Sequence, residues 1–490
     1  MNGEWISLEA TRKAACRGCW RGFVLLALLC MTPANAQAQG LRFGNHRVVA
    51  PPDYATLRIG PFYSAVDFSQ SAGYRYTHSS GSGTDFLYSN RRGVTLEDGS
   101  ELPLITRIDL RNYLIITRNV DLDMSIGVSY EHYPLETQED ETTVHMVDEG
   151  VYGSLSMGIM LNPFLKGTAY DKVVYRTDYI DTRGIEDPYG GRQYEYFQNE
   201  LGVDMDWLPA MNQNLGFSAS RFDMIPNEDE YADQESVAYR EGLVYEYSLY
   251  SGLVVGLRAD HTQTDYAADT RKDTRKEDYS AFVRFGEEKD IPLTGASVLS
   301  LRAGYSEGYA LDPDVTNETD QATVFGEASL KTQLRRDLAH QFSYGRYLRG
   351  GFSTAFEQVD TYGYAIDWKG ARASARLYST VNEVTPSSSA VNQYRNWSSG
   401  IGASFPLTYY IDLHFSTVYS VRDNQDTATG DEEWQNDYDT WSSRLGTSFA
   451  ITRKVDFTTY VQHVERLSDS EDLEYERDTF SAMFTFKHRF

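Results

Sequence analysis

Along most of the chain beyond its first forty residues, apolar and polar side chains alternate with a period of two. Leu122, Met124, Ile126, Val128 and Tyr130 interleave with Asp123, Ser125, Gly127 and Ser129, so an extended chain presents one apolar face and one polar face. Leu253, Val255, Leu257 and Ala259 stand in the same way against Gly256, Arg258 and Asp260, and Leu299, Leu301, Ala303 and Tyr305 against Ser300, Arg302 and Gly304. A further case sets Ile411, Leu413, Phe415 and Tyr419 against Asp412, His414, Ser416 and Ser420. No segment of useful length carries a capped apolar stripe of period 3.6, so the chain is predicted to be all-β.

The connections between these segments are of two kinds. Short polar joints (118–121, 211–214, 335–337, 452–454) alternate with longer stretches rich in acid, Gly, Ser and Asn near 134–146, 223–237, 263–278, 307–321, 383–392, 422–437 and 467–477. Tight turns at one end and long loops at the other predict a transmembrane antiparallel up-and-down β-barrel with both termini on the periplasmic side. About ten long loops and nine joints give about 20 strands over residues 57–490, preceded by a periplasmic segment at 37–56. Eighteen is the alternative count, because 54–106 reads two ways. A propeller requires repeats of about 40–50 residues, and none is found. A sandwich array requires shorter strands and turn signals every 8–12 residues or so. Aromatic residues make up 13% of the chain, a share suited to the interfacial girdles and lipid face of a membrane barrel.

Residues 1–36 read as a signal peptide. Arg12, Lys13, Arg17 and Arg21 form a basic region, Gly22 to Met31 an apolar run too short to span a bilayer, and Ala34-Asn35-Ala36 a small-residue cleavage site. Cys30 follows Leu29, where a lipobox requires a small residue. All three cysteines, Cys16, Cys19 and Cys30, fall in this leader. The exported chain therefore has neither disulfide framework nor thiolate metal site, and no cofactor is expected. The chain carries a net charge of −26, and loss of the leader makes it more acidic, which excludes nucleic acid as a partner. The expected location is the bacterial outer membrane, with its lipids as partners.

The last segment carries the sharpest local signal. Phe480, Ala482, Phe484, Phe486 and Phe490 share one face, with Ser481, Met483, Thr485, Lys487 and Arg489 on the other. Phe484, Phe486 and the terminal Phe490 resemble the signal that the barrel-assembly machinery recognises, with His488 where an apolar residue is usual. This strand is expected to close the sheet against one near 57–67 and so remove its free edges.

The polar face carries ions of both signs. Arg107, Arg111, Arg258, Arg302, Arg372, Arg376 and Arg444 are candidate lumen-lining residues, together with Asp109, Asp123, Glu246, Asp260, Asp412 and Asp456. A dry core would charge several kcal/mol for each such ion, so the interior is expected to be wet. Arginines on one wall and carboxylates on another would impose a field on a passing solute; the alternative is ion-pair networks that only stiffen the wall. Acidic loop runs at 139–141, 228–230, 431–433 and 471–472 are read as solvated charge rather than divalent-cation sites, since none has EF-hand spacing. No nucleophile elbow, HExxH pair or compact His-carboxylate cluster occurs; His340, His414 and His463 lie on separate segments without a partner by spacing. No enzymatic activity, catalytic residue or metal site is expected. The segment before the first strand is too short for a folded plug, which disfavours receptor-type active transport.

Leu57-Arg58-Ile59-Gly60-Pro61-Phe62-Tyr63, followed by Ser71-Ala72-Gly73-Tyr74, resembles the opening of the β-barrel porin type 2 family, in which a Gly-Pro-aromatic step leads into a first strand ending in Gly-Tyr. Arg75-Tyr76 stands where acidic or Asn residues are usual. The resemblance implies a porin-like channel associated with exopolysaccharide, passing polysaccharide or other polar solutes, with polysaccharide export components as partners. The alternative function is a barrel with a filled lumen that serves adhesion or scaffolding.

Overall fold

The computed structural model describes residues 52–81, 99–132, 144–179, 193–227, 232, 234–250, 252–268, 273–286, 297–311, 321–350, 356–387, 393–425, 437–468 and 474–490. The expected leader, 1–36, and the four acidic loop runs lie outside these residues.

Twenty long antiparallel strands follow one another in chain order. They are β1 (Phe62–Ser80), β2 (Leu104–Thr117), β3 (Val120–His132), β4 (Val144–Asn162) and β5 (Leu165–Tyr179). Next come β6 (Gln193–Ala210), β7 (Gln213–Pro226), β8 (Ser236–Tyr250), β9 (Leu253–Tyr266) and β10 (Thr274–Phe285). The third group is β11 (Ser297–Ala310), β12 (Gln321–Arg335), β13 (Leu338–Gly350), β14 (Phe356–Lys369) and β15 (Ser374–Pro386). The last are β16 (Gln393–Pro406), β17 (Ile411–Gln425), β18 (Tyr438–Ala450), β19 (Val455–Ser468) and β20 (Tyr475–Arg489). Each pairs with its neighbour in sequence and β20 pairs with β1, so the sheet closes. The count is twenty rather than eighteen. The ambiguous opening resolves into β1 with two three-residue pieces, Leu57–Ile59 and Gly99–Glu101, laid against it. Gly60, with φ of 60°, makes the hairpin between the first piece and β1, which explains the glycine of the Gly-Pro-aromatic step.

The seam differs in register from expectation. β20 pairs with Asp67 to Ser80 of β1, not with 57–67, and the lower part of β1, from Phe62, extends below the end of the last strand. A tilted sheet closes with a stagger, so the last strand meets the first displaced along its length. Arg489 grips Asp67 bidentately across the seam, with one N···O distance of 3.0 Å, and the Phe490 N–H donates to the Val66 carbonyl at 2.9 Å.

The short joints are built by side chains that cap their own turns. The Asn162 carboxamide oxygen accepts the Phe164 N–H (2.8 Å), Thr408 Oγ1 accepts from Tyr410 (3.2 Å), and Thr452 Oγ1 accepts from Lys454 and Val455 (3.1 and 3.0 Å). At the other end the strands run further into the polar stretches than their composition suggests. β9 reaches Tyr266 and β10 starts at Thr274, inside the stretch 263–278 read as a loop. Beyond the hydrocarbon both faces of a strand are wet, so the apolar alternation lapses while the backbone ladder continues.

One face of the sheet carries the exposed apolar residues. Phe415, Leu445, Val461 and Phe480 stand directly opposite one another on β17 to β20 and are all exposed. Trp397, Tyr419 and Trp441 border this band towards the loop ends, and Trp207 and Trp368 border it near the short joints. Further towards the loops the same face turns ionic. Arg346 and Asp360 form a bidentate pair (2.6 and 2.9 Å), and Glu383 and Arg395 continue the row at 2.6 Å. An apolar band with aromatic borders and ionic margins is an outer surface matched to a bilayer. The strands are 12–19 residues long, more than the 9–11 or so a tilted strand needs to cross. A closed barrel leaves no backbone polar group on a free edge in the hydrocarbon. The chain is an outer-membrane β-barrel.

Candidate functional site

The opposite face of every strand points into the barrel. Twenty strands about 4.8 Å apart and tilted by about 40° enclose a cylinder with a backbone diameter of about 40 Å, wider than wall side chains can fill.

Strand parity places Arg107, Asp109, Arg111, Asp123, Glu246, Arg258, Asp260, Arg302, Arg376, Asp412, Arg444 and Asp456 on this inner face. Arg372 is a correction: it lies in the joint between β14 and β15, off the wall. Its spacing from Arg376 continues the alternation, but the turn closed by the Gly370 N–H to the Ala373 carbonyl (2.8 Å) takes it out of the ladder.

The inner face divides into sectors. On β2 to β6 three of the inward carboxylates are held by tyrosine hydroxyls. Tyr152 donates to Asp109 (2.8 Å), which also pairs with Arg107 (2.9 Å), while Tyr113 donates to Asp121 (2.9 Å) and Tyr170 to Glu200 (3.4 Å). On β8 to β12 the ions are balanced and mutually paired. Asp260 takes Arg258 at 2.6 Å and Arg302 at 3.5 Å, Arg302 reaches Glu327 at 3.4 Å, and Arg284 reaches Glu246 at 3.6 Å.

On β15 to β20 arginines dominate, and tyrosine offers its ring rather than its hydroxyl. Arg422 lies over Tyr394 (4.3 Å to the centroid), Arg444 over Tyr460 (3.8 Å) and Arg466 over Tyr438 (3.8 Å). A cavity of about 800 Å³ runs along this sector, lined among others by Arg376, His414, Arg444, Tyr460 and the hydroxyls of Ser416 and Ser448. Arg376, His414 and Arg444 are exposed within the barrel, whereas Arg422, Arg466 and Arg477, nearer the loop ends, are buried.

Three of these arginines are absent from the set read by sequence: Arg422, Arg466 and Arg477. The signal was available. Arg422 continues the parity of Asp412, and Arg477 that of Arg489. Arg466 was hidden because Val464, an inward apolar residue, interrupts the pattern.

The histidines also gain partners that spacing cannot reveal. His463 stands directly opposite Asp478 with Nδ1 at 2.9 Å from the carboxylate. Donor atoms of His463, Asp478 and Glu476 lie within 4.8 Å of one another on the outer face, near the loop ends. His414 meets Ser448 at 3.2 Å inside the barrel, and the His340 ring packs edge-on to Tyr364 outside it. Phe484 and Phe486 are exposed on the outer face beside Phe457 and Val455.

No family model matches the chain, and no curated relative matches it. Among solved structures it is similar to the FrpB iron transporter from Neisseria meningitidis (F3-3 variant), at 9% identity over 86% of this chain and 81% of that one, with a TM-score of 0.48. The copper transporter OprC aligns at 13% identity over 88% of this chain and 81% of its own, with a TM-score of 0.48. OpdL of Pseudomonas aeruginosa aligns at 8% identity over 87% and 99%, with a TM-score of 0.39. At these values nothing of their cargo carries over.

Proposed function

We propose that the barrel is a porin-like channel that passes polar solutes, polysaccharide among them, across the outer membrane. The observation that carries this reading is the exposed arginine and hydroxyl lining of the inner cavity, which a dry, packed core would not tolerate. Water in the lumen solvates these ions, and the division of the wall into acidic and basic sectors sets up a field across it. The polysaccharide part rests on the likeness of the opening motif, Gly60-Pro61-Phe62 with Gly73-Tyr74, to the β-barrel porin type 2 family. Under this reading Phe484, Phe486 and Phe490 serve recognition by the barrel-assembly machinery, and polysaccharide export components are the expected partners.

The second reading, a filled barrel serving adhesion or scaffolding, is favoured by one observation. Arg466 and Val464, inward-facing near the loop ends, are only 1% exposed. Proteoliposomes loaded with a radiolabelled trisaccharide separate the two. Release within seconds at a rate proportional to inserted protein supports the channel. Retention by vesicles containing folded, protease-resistant barrel supports the scaffold.

A further inference from the structure

We infer that the β15 to β20 sector of the inner wall is a binding groove for acidic saccharides, bracketed by Arg376 and Arg444. This deepens the channel reading and rests on it.

Charge is the first argument. Between Ser374 and Arg489 the described inward positions carry Arg376, Arg422, Arg444, Arg466 and Arg477. The inward carboxylates among them are Asp412 and Asp456, each the second residue of its strand at the short-joint end, and Asp456 is already held by Lys487 at 2.8 Å. Above that rim the inward charged residues described on these strands are cationic, in a chain whose net charge is −26.

Register is the second. Arg376 pairs with Gly402, Gly402 with Ser416 and Ser416 with Arg444, so the four lie in one row across β15, β16, β17 and β18. Three strand spacings separate the two arginine backbones by about 14 Å. Between them the floor holds no large side chain: a Cβ added at Gly402 would meet nothing within 4 Å. The result is a shallow polar trough with a guanidinium at each end.

The state of Arg444 is the third. Its guanidinium lies 3.8 Å from the Tyr460 centroid, and no carboxylate among the described residues pairs with it. A guanidinium held by its face keeps its edge donors available for a carboxylate arriving from the lumen. Among the described residues the carboxylate nearest to Arg376 makes a long contact, Asp367 at 3.9 Å. Two cations at this separation over a hydroxyl-lined floor suit an anionic group recurring along a sugar chain better than a single small anion. The cavity of about 800 Å³ has room for several sugar rings.

The test uses full-length folded protein and oligogalacturonate, with maltooligosaccharide of equal length as the neutral probe. Isothermal titration in detergent micelles reads binding without requiring conduction, and current block in planar bilayers reads it during conduction. Wild type is expected to bind and be blocked by the acidic oligomer about tenfold more strongly than by the neutral one. Arg376→Gln and Arg444→Gln are each expected to remove most of that difference. Arg221→Gln, on the outer face where Arg221 pairs with Asp223 at 2.8 Å, is expected to leave it intact. Equal affinity for the two oligomers, or preference unchanged in R376Q/R444Q, overturns the groove while a conducting wild type keeps the channel. Preferential acid binding in micelles with no current in bilayers supports the groove and removes the channel.

Discussion

The assignment of faces can be tested within one strand. Val461 of β19 is 53% exposed on the outer face, and Thr458 lies on the inner face, lining the cavity. Val461 is six residues from the start of its strand at Val455. At a rise of about 3.3 Å per residue and a tilt of about 40°, it sits about 15 Å above the strand start, close to the middle of a hydrocarbon layer about 30 Å thick. Its cross-strand neighbours there are Leu445 and Phe480, both apolar and exposed. An arginine placed at 461 has apolar residues directly on both sides; the acid it can reach is Asp478, diagonal to it towards the loop end and already paired with His463, so its guanidinium must snorkel out of the apolar band. The expected cost is about 2–4 kcal/mol, a factor of roughly 30 to several hundred in the folding equilibrium. Arg at 458 enters the wet cavity beside Asp456 and is expected to cost less than about 1 kcal/mol. Reversible urea unfolding in phospholipid vesicles, followed by tryptophan fluorescence, reads both variants. Equal effects, or a larger loss for Thr458→Arg, would refute the assignment of faces.

Three further outcomes are expected from local geometry. Gly252→Ala in the β8–β9 joint, where φ is 88° and the nearest atoms to an added Cβ belong to Gly286 at 3.9 Å, should cost about 1 kcal/mol from backbone strain alone, read as a lower urea midpoint. Tyr113→Phe removes the hydroxyl donated to Asp121 at 2.9 Å and should lower stability by about 1 kcal/mol in the same titration. Arg489→Ala breaks a seam ion pair whose partners are 48% and 22% exposed, so the loss should stay below about 1 kcal/mol and the barrel should keep its heat-modifiable mobility in SDS gels.

The sequence made the faces legible wherever one side of a strand meets lipid. The alternation from Leu122 to Tyr130 or from Ile411 to Tyr419 needs no structure to interpret, and it assigned Asp123, Arg258 and Arg444 to the polar face. The same logic failed where its physical basis lapses. Outside the hydrocarbon no side need be apolar, so the strand ends around Glu277, Glu307 and Asp423 looked like loops. A tight turn removed Arg372 from a face its spacing suggested. Register between distant segments leaves no local trace, so neither the stagger of β20 along β1 nor the placing of Asp478 opposite His463 can be read from the sequence. The row from Arg376 to Arg444 is likewise a property of four registers together, and no single strand contains it.

Single-channel recording in planar lipid bilayers tests the central claim most directly. Purified barrel, shown to be folded by its heat-modifiable mobility, should give discrete ohmic current steps that grow in proportion to salt concentration. Insertion of that folded protein with no steps above the bare bilayer would contradict a water-filled, conducting lumen.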